Sequence, residues 1–274
     1  MISYPGCKIN IGLKVLHKRP DGFHAIESVF VPVPWHDALE IIPDTTKGAK
    51  GVSFTSSGLP IPGNTDSNLC VKAYHLLAND FTLLPVKMHL HKVIPMGAGL
   101  GGGSSDGAHA LLQLNALFGL KLSVAALKKY AGMLGSDCPF FISNKPAFVY
   151  GRGERMKNIT VLLNDLHIVI IHPGIHIDTG TAYRMIQRNP YKHSLKGLGE
   201  WKRSEWKRRA DNDFENYAFA EFPSIGKLKK ALYEKGAIYA SMSGSGSAVF
   251  GLFSNEIKIP AAWKKHTIFQ SRLS

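Results

Sequence analysis

The chain has 274 residues, room for one large or two ordinary domains, and 45% of them are hydrophobic, as expected of a protein that buries a core in water. No apolar run approaches the ~20 residues of a membrane span. Three widely spaced cysteines, Cys7, Cys70 and Cys138, exclude a disulfide framework and any zinc-type cluster, and a formal net charge of +13 points to anionic partners.

Met1 to Asn10 lacks the apolar core of an export signal, so a cytoplasmic, reducing location is expected. Cys7, Ile9, Ile11, Leu13 and Val15 alternate with Lys8, Asn10, Gly12 and Lys14, the period of a strand. That alternation sets Lys8 and Asn10 on one face, opposite the apolar one. Strands are predicted over 26–34, 38–42 and 52–55. A helix is predicted over 68–79, with Asp66 or Ser67 as its cap. A strand over 86–94 feeds a glycine-rich stretch, and helices follow over 104–118 and 123–134, the second capped by Ser123. Strand resumes over 146–150.

Past residue 160 a second set begins. A strand is predicted over 166–172 and helices over 181–188, 212–221 and 224–235, the last closed by Gly236. Strands over 237–242 and 248–253 are joined by Ser243-Gly244-Ser245-Gly246-Ser247. A short helix over 257–265 and a strand over 267–270 end the chain. Helices and strands mixed in this order predict an α+β protein of two domains, 1–158 and 159–274.

Much of the positive charge lies within 184–209. Nine Lys or Arg (Arg184, Arg188, Lys192, Lys196, Lys202, Arg203, Lys207, Arg208, Arg209) stand there against Glu200 and Glu205, with Trp201 and Trp206 between them. A solvated basic segment is expected, with no nucleic-acid or membrane partner. Nothing in the sequence speaks to the oligomeric state.

The stretch Pro95-Met96-Gly97-Ala98-Gly99-Leu100-Gly101-Gly102-Gly103-Ser104-Ser105 carries the most information. Glycine-rich backbone running into a helix start turns unpaired N–H groups and the positive end of the helix dipole towards one point, which suits phosphate. Gly97-x-Gly99-x-x-Gly102 matches a dinucleotide fingerprint, but no Asp or Glu occurs between Asp106 and Asp137 to hold a ribose. The common P-loop ends in Gly-Lys-Ser/Thr, and that lysine is missing. A flexible linker would rarely sit between a strand and an amphipathic helix. The stretch reads as a nucleotide phosphate cradle.

Lys8-Ile9-Asn10, this glycine stretch and Ser243-Gly244-Ser245-Gly246 together resemble the GHMP kinase superfamily. Arg19-Pro20-Asp21-Gly22-Phe23-His24 and Gly135-Ser136-Asp137-Cys138-Pro139-Phe140-Phe141 narrow the resemblance. They point to the branch that phosphorylates the 2-hydroxyl of a methylerythritol carried on cytidine diphosphate, in the non-mevalonate isoprenoid pathway. The resemblance implies an N-terminal nucleotide-binding and catalytic domain with a ribosomal-S5-like fold. It also implies a ferredoxin-like C-terminal domain on the substrate side, with ATP and substrate meeting between the two.

By the same resemblance, residues Pro95 to Ser105 hold the ATP phosphates, with Ser104 and Ser105 near phosphate and Mg²⁺, and Asn68 and Lys92 lie near the ATP base. Mg²⁺ comes with ATP and no residue is assigned as its ligand. Asp137 accepts the proton of the attacking hydroxyl, and Lys8 lies beside it. Asn10, Phe23, His24 and Tyr183 bind substrate: the cytosine is sandwiched between Phe23 and Tyr183, and His24 bonds its edge. Asp106 is given no role, and Cys138 is expected to be structural. Three rivals remain open: another GHMP kinase of mevalonate or homoserine type, a non-catalytic sensor on the same fold, and an RNA-binding protein, since ribosomal proteins share part of the fold and the chain is basic.

Overall fold

Parity along the strands decides which side chains go inside. In the computed structural model, which describes residues 1–186 and 193–273, Val86, Met88 and Leu90 of one strand are all buried, while Lys87 is exposed and His89 half-buried between them and His91 beyond them is exposed. Twelve strands and eight α-helices form among the described residues. In chain order they begin β1 (Ile2–Ser3), β2 (Gly6–Lys18), β3 (His24–His36), β4 (Ala38–Pro43), β5 (Val52–Gly58), α1 (Leu69–Ala78), β6 (Val86–Lys92) and α2 (Gly102–Leu117). They continue α3 (Val124–Leu134), α4 (Cys138–Ser143), β7 (Ala147–Gly151), β8 (Arg155–Asn158), β9 (His167–His172), α5 (Thr179–Arg184), α6 (Arg203–Arg209) and α7 (Glu215–Glu221). The last are α8 (Pro223–Glu234), β10 (Tyr239–Met242), β11 (Val249–Phe253) and β12 (Thr267–Arg272).

The chain forms two compact units that do not follow its linear order. The first comprises Met1–Cys7, Trp35–Met96 and Gly101–Lys145. Its sheet runs β1-β4-β6-β5, with β5 parallel to β6 and the other pairs antiparallel. Leu39, Ile41, Met88 and Leu90 from this sheet pack with Cys70 and Leu77 of α1 and with Leu111 and Leu114 of α2.

The second unit holds Lys8–Pro34, Gly97–Leu100 and the chain from Pro146 onward. It carries one sheet in the order β2-β3-β7-β8 and another in the order β10-β11-β9-β12. The latter is antiparallel throughout. Read from its other edge the order is β12-β9-β11-β10, so its strands stand fourth, first, third, second along the chain. That is the strand order of a ferredoxin-like sheet. Its core gathers Val169, Ile171, Ile225, Leu228, Leu232, Met242 and Val249.

Several local expectations shift. The cap of α1 is Asn68, whose side chain accepts from the Cys70 N–H, while Asp66 and Ser67 sit in a preceding 3₁₀ turn. Ser123 caps α3 as expected. The helix expected over 257–265 is one 3₁₀ turn, Ala261–Trp263. The helix expected over 181–188 runs Thr179–Arg184, and residues 187 and 188 lie outside the described residues. β2 is buried on both faces from Gly6 to Val15, so the Lys8 and Asn10 face is covered rather than open.

Candidate active site

The glycine stretch leaves β6 through Ile94 and Pro95. Gly99 takes a φ of 78°, in the left-handed region that side chains resist. A Cβ added there would stand 1.9 Å from the Ser243 carbonyl oxygen, so only glycine lets these backbones meet. Around it, the Ala248 N–H donates to Ala98 O at 3.1 Å and the Ser243 hydroxyl donates to Gly99 O at 2.9 Å. Gly101 caps α2 with a φ of 72° and offers no side chain. The Ser105 N–H donates to Gly101 O at 2.9 Å, so the N–H groups of Gly102, Gly103 and Ser104 precede the first helical bond. They are the donors a phosphate would take.

Within the stretch, Gly97 is exposed, and Met96, Gly99, Gly101, Gly103 and Ser104 are half-buried. Pro95, Ala98, Leu100 and Gly102 are buried. Ser105 departs from expectation: it is wholly buried, and its hydroxyl has no hydrogen-bond partner among the described residues, whereas Ser104 is half-buried.

Lys8 is 3% exposed. Its ammonium donates to Asn10 Oδ1 at 2.6 Å and to Gly99 O at 2.9 Å, and it lies 4.6 Å from the Phe30 ring centroid. Asn10 in turn donates from Nδ2 to Ser28 Oγ at 2.8 Å, and its Oδ1 lies 3.2 Å from Ser243 Oγ, an alternative acceptor for the single proton that Ser243 gives to Gly99 O. Both ends of the Asn10 amide are thus taken by protein, and the residue is 1% exposed. Asn10 is therefore corrected from a substrate contact to a residue that orients Lys8.

Lys92 also needs correction. It ends β6 on the core side, because it shares parity with Val86, Met88 and Leu90. Its side chain is fully buried and pairs with Asp37 and, at 2.8 Å, with Asp106. The ammonium is committed there and does not reach an ATP base. Asp37 further accepts from the N–H groups of Val93 and Ile94 at 2.6 and 2.8 Å. This buried triad joins the strand end before the glycine stretch to the first turns of the helix after it. Burial pushes the Asp106 carboxyl up to about 7, against the pull of Lys92 and with the help of Asp37. Burial alone lowers Lys92, but Asp106 and Asp37 outweigh it and its pKa is raised. Sequence reading passed over Asp37 and Asp106; the parity of Lys92 was the available signal, since a core-facing lysine demands carboxylates.

The Pro20 to His24 element forms the hairpin tip between β2 and β3. The Arg19 guanidinium holds Asp21, with Nη2 to Oδ2 at 2.8 Å, and the Phe23 N–H donates to Asp21 Oδ1 at 3.2 Å. Phe23 is left 55% exposed, with the Arg152 guanidinium 5.1 Å from its ring centroid. Tyr183, expected to face Phe23 across the cytosine, stacks on His24, with centroids 5.1 Å apart and 14° between planes, and meets Phe214 edge-on at 4.9 Å.

Asp137 precedes α4, half-buried, and its side chain makes no capping hydrogen bond. Asn68 spends its carbonyl oxygen on capping α1, which leaves only its amide donors for any ligand. Burial pushes the Cys138 thiol up to about 12, against a hydrogen bond from Ser104, so it is no nucleophile. In the basic segment the cations spread over carboxylates and aromatic faces. Arg203 binds Asp165, while Arg209 binds Glu205 and lies 3.9 Å over Trp201. Arg188 and Lys192 lie outside the described residues.

Two family models match: GHMP kinases N terminal domain over 68–152 and GHMP kinases C terminal over 188–268. A 4-diphosphocytidyl-2-C-methyl-D-erythritol kinase of Cytophaga hutchinsonii is 48% identical over 93% of each chain. One of Bacteroides fragilis is 49% identical over 94% of each. The chain belongs to the 4-diphosphocytidyl-2-C-methyl-D-erythritol kinase family of the GHMP kinases. A crystal structure of a 4-(cytidine 5'-diphospho)-2C-methyl-D-erythritol kinase superposes with a TM-score of 0.79 at 31% identity, over 92% of this chain and 90% of that one. As a GHMP kinase the protein is an enzyme with the α+β, two-domain fold of that family. Among the described residues no helix is long and apolar enough to cross a membrane.

Proposed function

We propose that this GHMP kinase transfers the γ-phosphoryl group of ATP to the 2-hydroxyl of 4-diphosphocytidyl-2-C-methyl-D-erythritol, in non-mevalonate isoprenoid synthesis. The observation that carries the reading is Lys8 Nζ held to the Gly99 carbonyl at 2.9 Å, across 91 residues of sequence. It fastens a buried cation to the backbone at Gly99.

Phosphoryl transfer through a loose transition state asks for positioning and charge stabilisation rather than covalent help. The backbone from Gly97 to Ser104 holds the phosphates. Lys8 offsets charge that develops on the transferring group. Asp137, which precedes α4, takes the proton of the attacking hydroxyl. Mg²⁺ carried on the nucleotide would supply neutralisation of phosphate charge, and Ser104, at the start of α2, is the side chain expected near it. Residues 1–158 supply nucleotide binding and catalysis, and 159–274 the substrate side; the two family models fall on either side of that division. Phe23 and His24 read the cytosine, with Tyr183 bracing His24.

Phosphorus NMR of purified protein with ATP, Mg²⁺ and the cytidyl substrate tests the reading. The expected product carries a new phosphomonoester on the 2-hydroxyl. Equal turnover of mevalonate or homoserine would move the assignment to another GHMP kinase, and nucleotide binding without turnover would favour a sensor.

A further inference from the structure

The hydrogen-bond chain behind Lys8 ends on a residue outside the reading above. Ser28 lies on β3, wholly buried, and its hydroxyl donates to the Gly12 carbonyl at 2.7 Å. A serine hydroxyl has one proton. With that proton given to a carbonyl, Ser28 Oγ can only accept towards Asn10, and it does so from Nδ2 at 2.8 Å. An asparagine amide has a donor end and an acceptor end, exchanged by a half-turn. Seating the donor end on Ser28 turns Oδ1 towards Lys8, whose ammonium donates to it at 2.6 Å. The reversed amide would set NH₂ against NH₃⁺, donor against donor, where Lys8 and Asn10 are both buried and water cannot stand in.

We propose that Ser28 is a positioning residue for phosphoryl transfer: it fixes the polarity of the Asn10 amide and, through it, the direction of the Lys8 ammonium. The proposal rests on the reading of Lys8 as the charge-stabilising group. Ser28 itself meets neither nucleotide nor substrate, so its influence should fall on kcat and spare ATP binding.

Four variants test this by steady-state kinetics, each with a thermal melt: Ser28→Ala, Ser28→Thr, Lys8→Met, and Ser28→Ala with Lys8→Met. Ser28→Ala should lower kcat about 10- to 100-fold, the effect of one misdirected charged hydrogen bond, with KM for ATP within about twofold of wild type. Ser28→Thr keeps the hydroxyl and should stay within about threefold of wild type. Adding Ser28→Ala to Lys8→Met should cost nothing further, because the group it directs is gone.

A kcat for Ser28→Ala within about twofold of wild type overturns the proposal. So does an equal kcat loss in the Lys8→Met background. Near-normal turnover of Lys8→Met alone is a different failure, because it removes the role of Lys8 on which the proposal stands.

Discussion

His24 and Tyr183 lie ring on ring, 5.1 Å apart with 14° between planes, and this pairing decides how a base can be read at the hairpin tip. Tyr183 gives one face to His24 and is met edge-on by Phe214. Phe23 is the ring open to solvent. A cytosine would therefore stack on Phe23, displacing Arg152 from its face, while His24 is held at a fixed angle to bond the base edge. Tyr183→Ala should raise KM for the cytidyl substrate about 2- to 10-fold, the worth of one aromatic pair. Phe23→Ala should lose a base stack, about 1–3 kcal/mol. Neither should alter KM for ATP. Steady-state kinetics with each substrate varied in turn decides it, and a shift in ATP affinity would refute the separation of the two elements.

Asp137→Asn keeps shape and removes the base. The variant should lose about 10²–10⁴ in kcat, the usual share of general-base catalysis. Nucleotide binding, read by calorimetry, should persist. Turnover close to wild type would take Asp137 out of the reaction.

The strand and helix pattern was legible where one face is apolar, as in β6 and α3, and where a cap residue stood in place, as Ser123 does. The glycine stretch could be picked out because so many adjacent glycines are costly without a purpose, whereas Lys8 and Asp137 were singled out by the family resemblance. Other features depend on partners distant in sequence. Nothing local to Asn10 tells that its amide is taken by Lys8, Ser28 and Ser243. Tyr183 was expected to face Phe23 across the cytosine, but its stacking on His24 depends on how α5 meets the hairpin. The short α6 and the 3₁₀ turn over Leu195–Glu200 escaped notice because their apolar residues, Leu195, Leu198 and Trp206, are scattered among charges.

Gly99 is held by geometry rather than chemistry. Gly99→Ala would place Cβ against the Ser243 carbonyl, an atom of backbone that cannot swing aside. The left-handed conformation alone costs about 1–2 kcal/mol for a side chain, and the clash adds to it. A lower melting temperature and weakened ATP binding should appear together, since the same backbone shift that relieves the clash distorts the cradle and releases Lys8. Unchanged stability with unchanged nucleotide affinity would show that the Ser243 to Ser247 connection does not brace the glycine stretch.

The buried triad makes stability depend on pH in a direction opposite to that of an ordinary surface carboxylate pair. Lys92 lies between Asp37 and Asp106, and Asp106 Oδ1 is buried with no hydrogen-bond partner among the described residues. Burial raises the Asp106 carboxyl to about 7, with Lys92 opposing and Asp37 adding to the rise. In the unfolded chain the same group titrates near 4. Between those values the folded protein binds a proton that the unfolded chain has lost. Stability from this group is therefore complete below about pH 4 and falls as pH climbs through about 7, by at most about 1.4 kcal/mol per pH unit. Asp106→Asn cannot titrate but keeps an acceptor for Lys92. Urea unfolding at pH 5.5 and 8.5 should show the wild type losing stability relative to Asp106→Asn at the higher pH. Parallel changes in the two proteins would mean that Asp106 stays ionised across the range and that Lys92 carries both carboxylates.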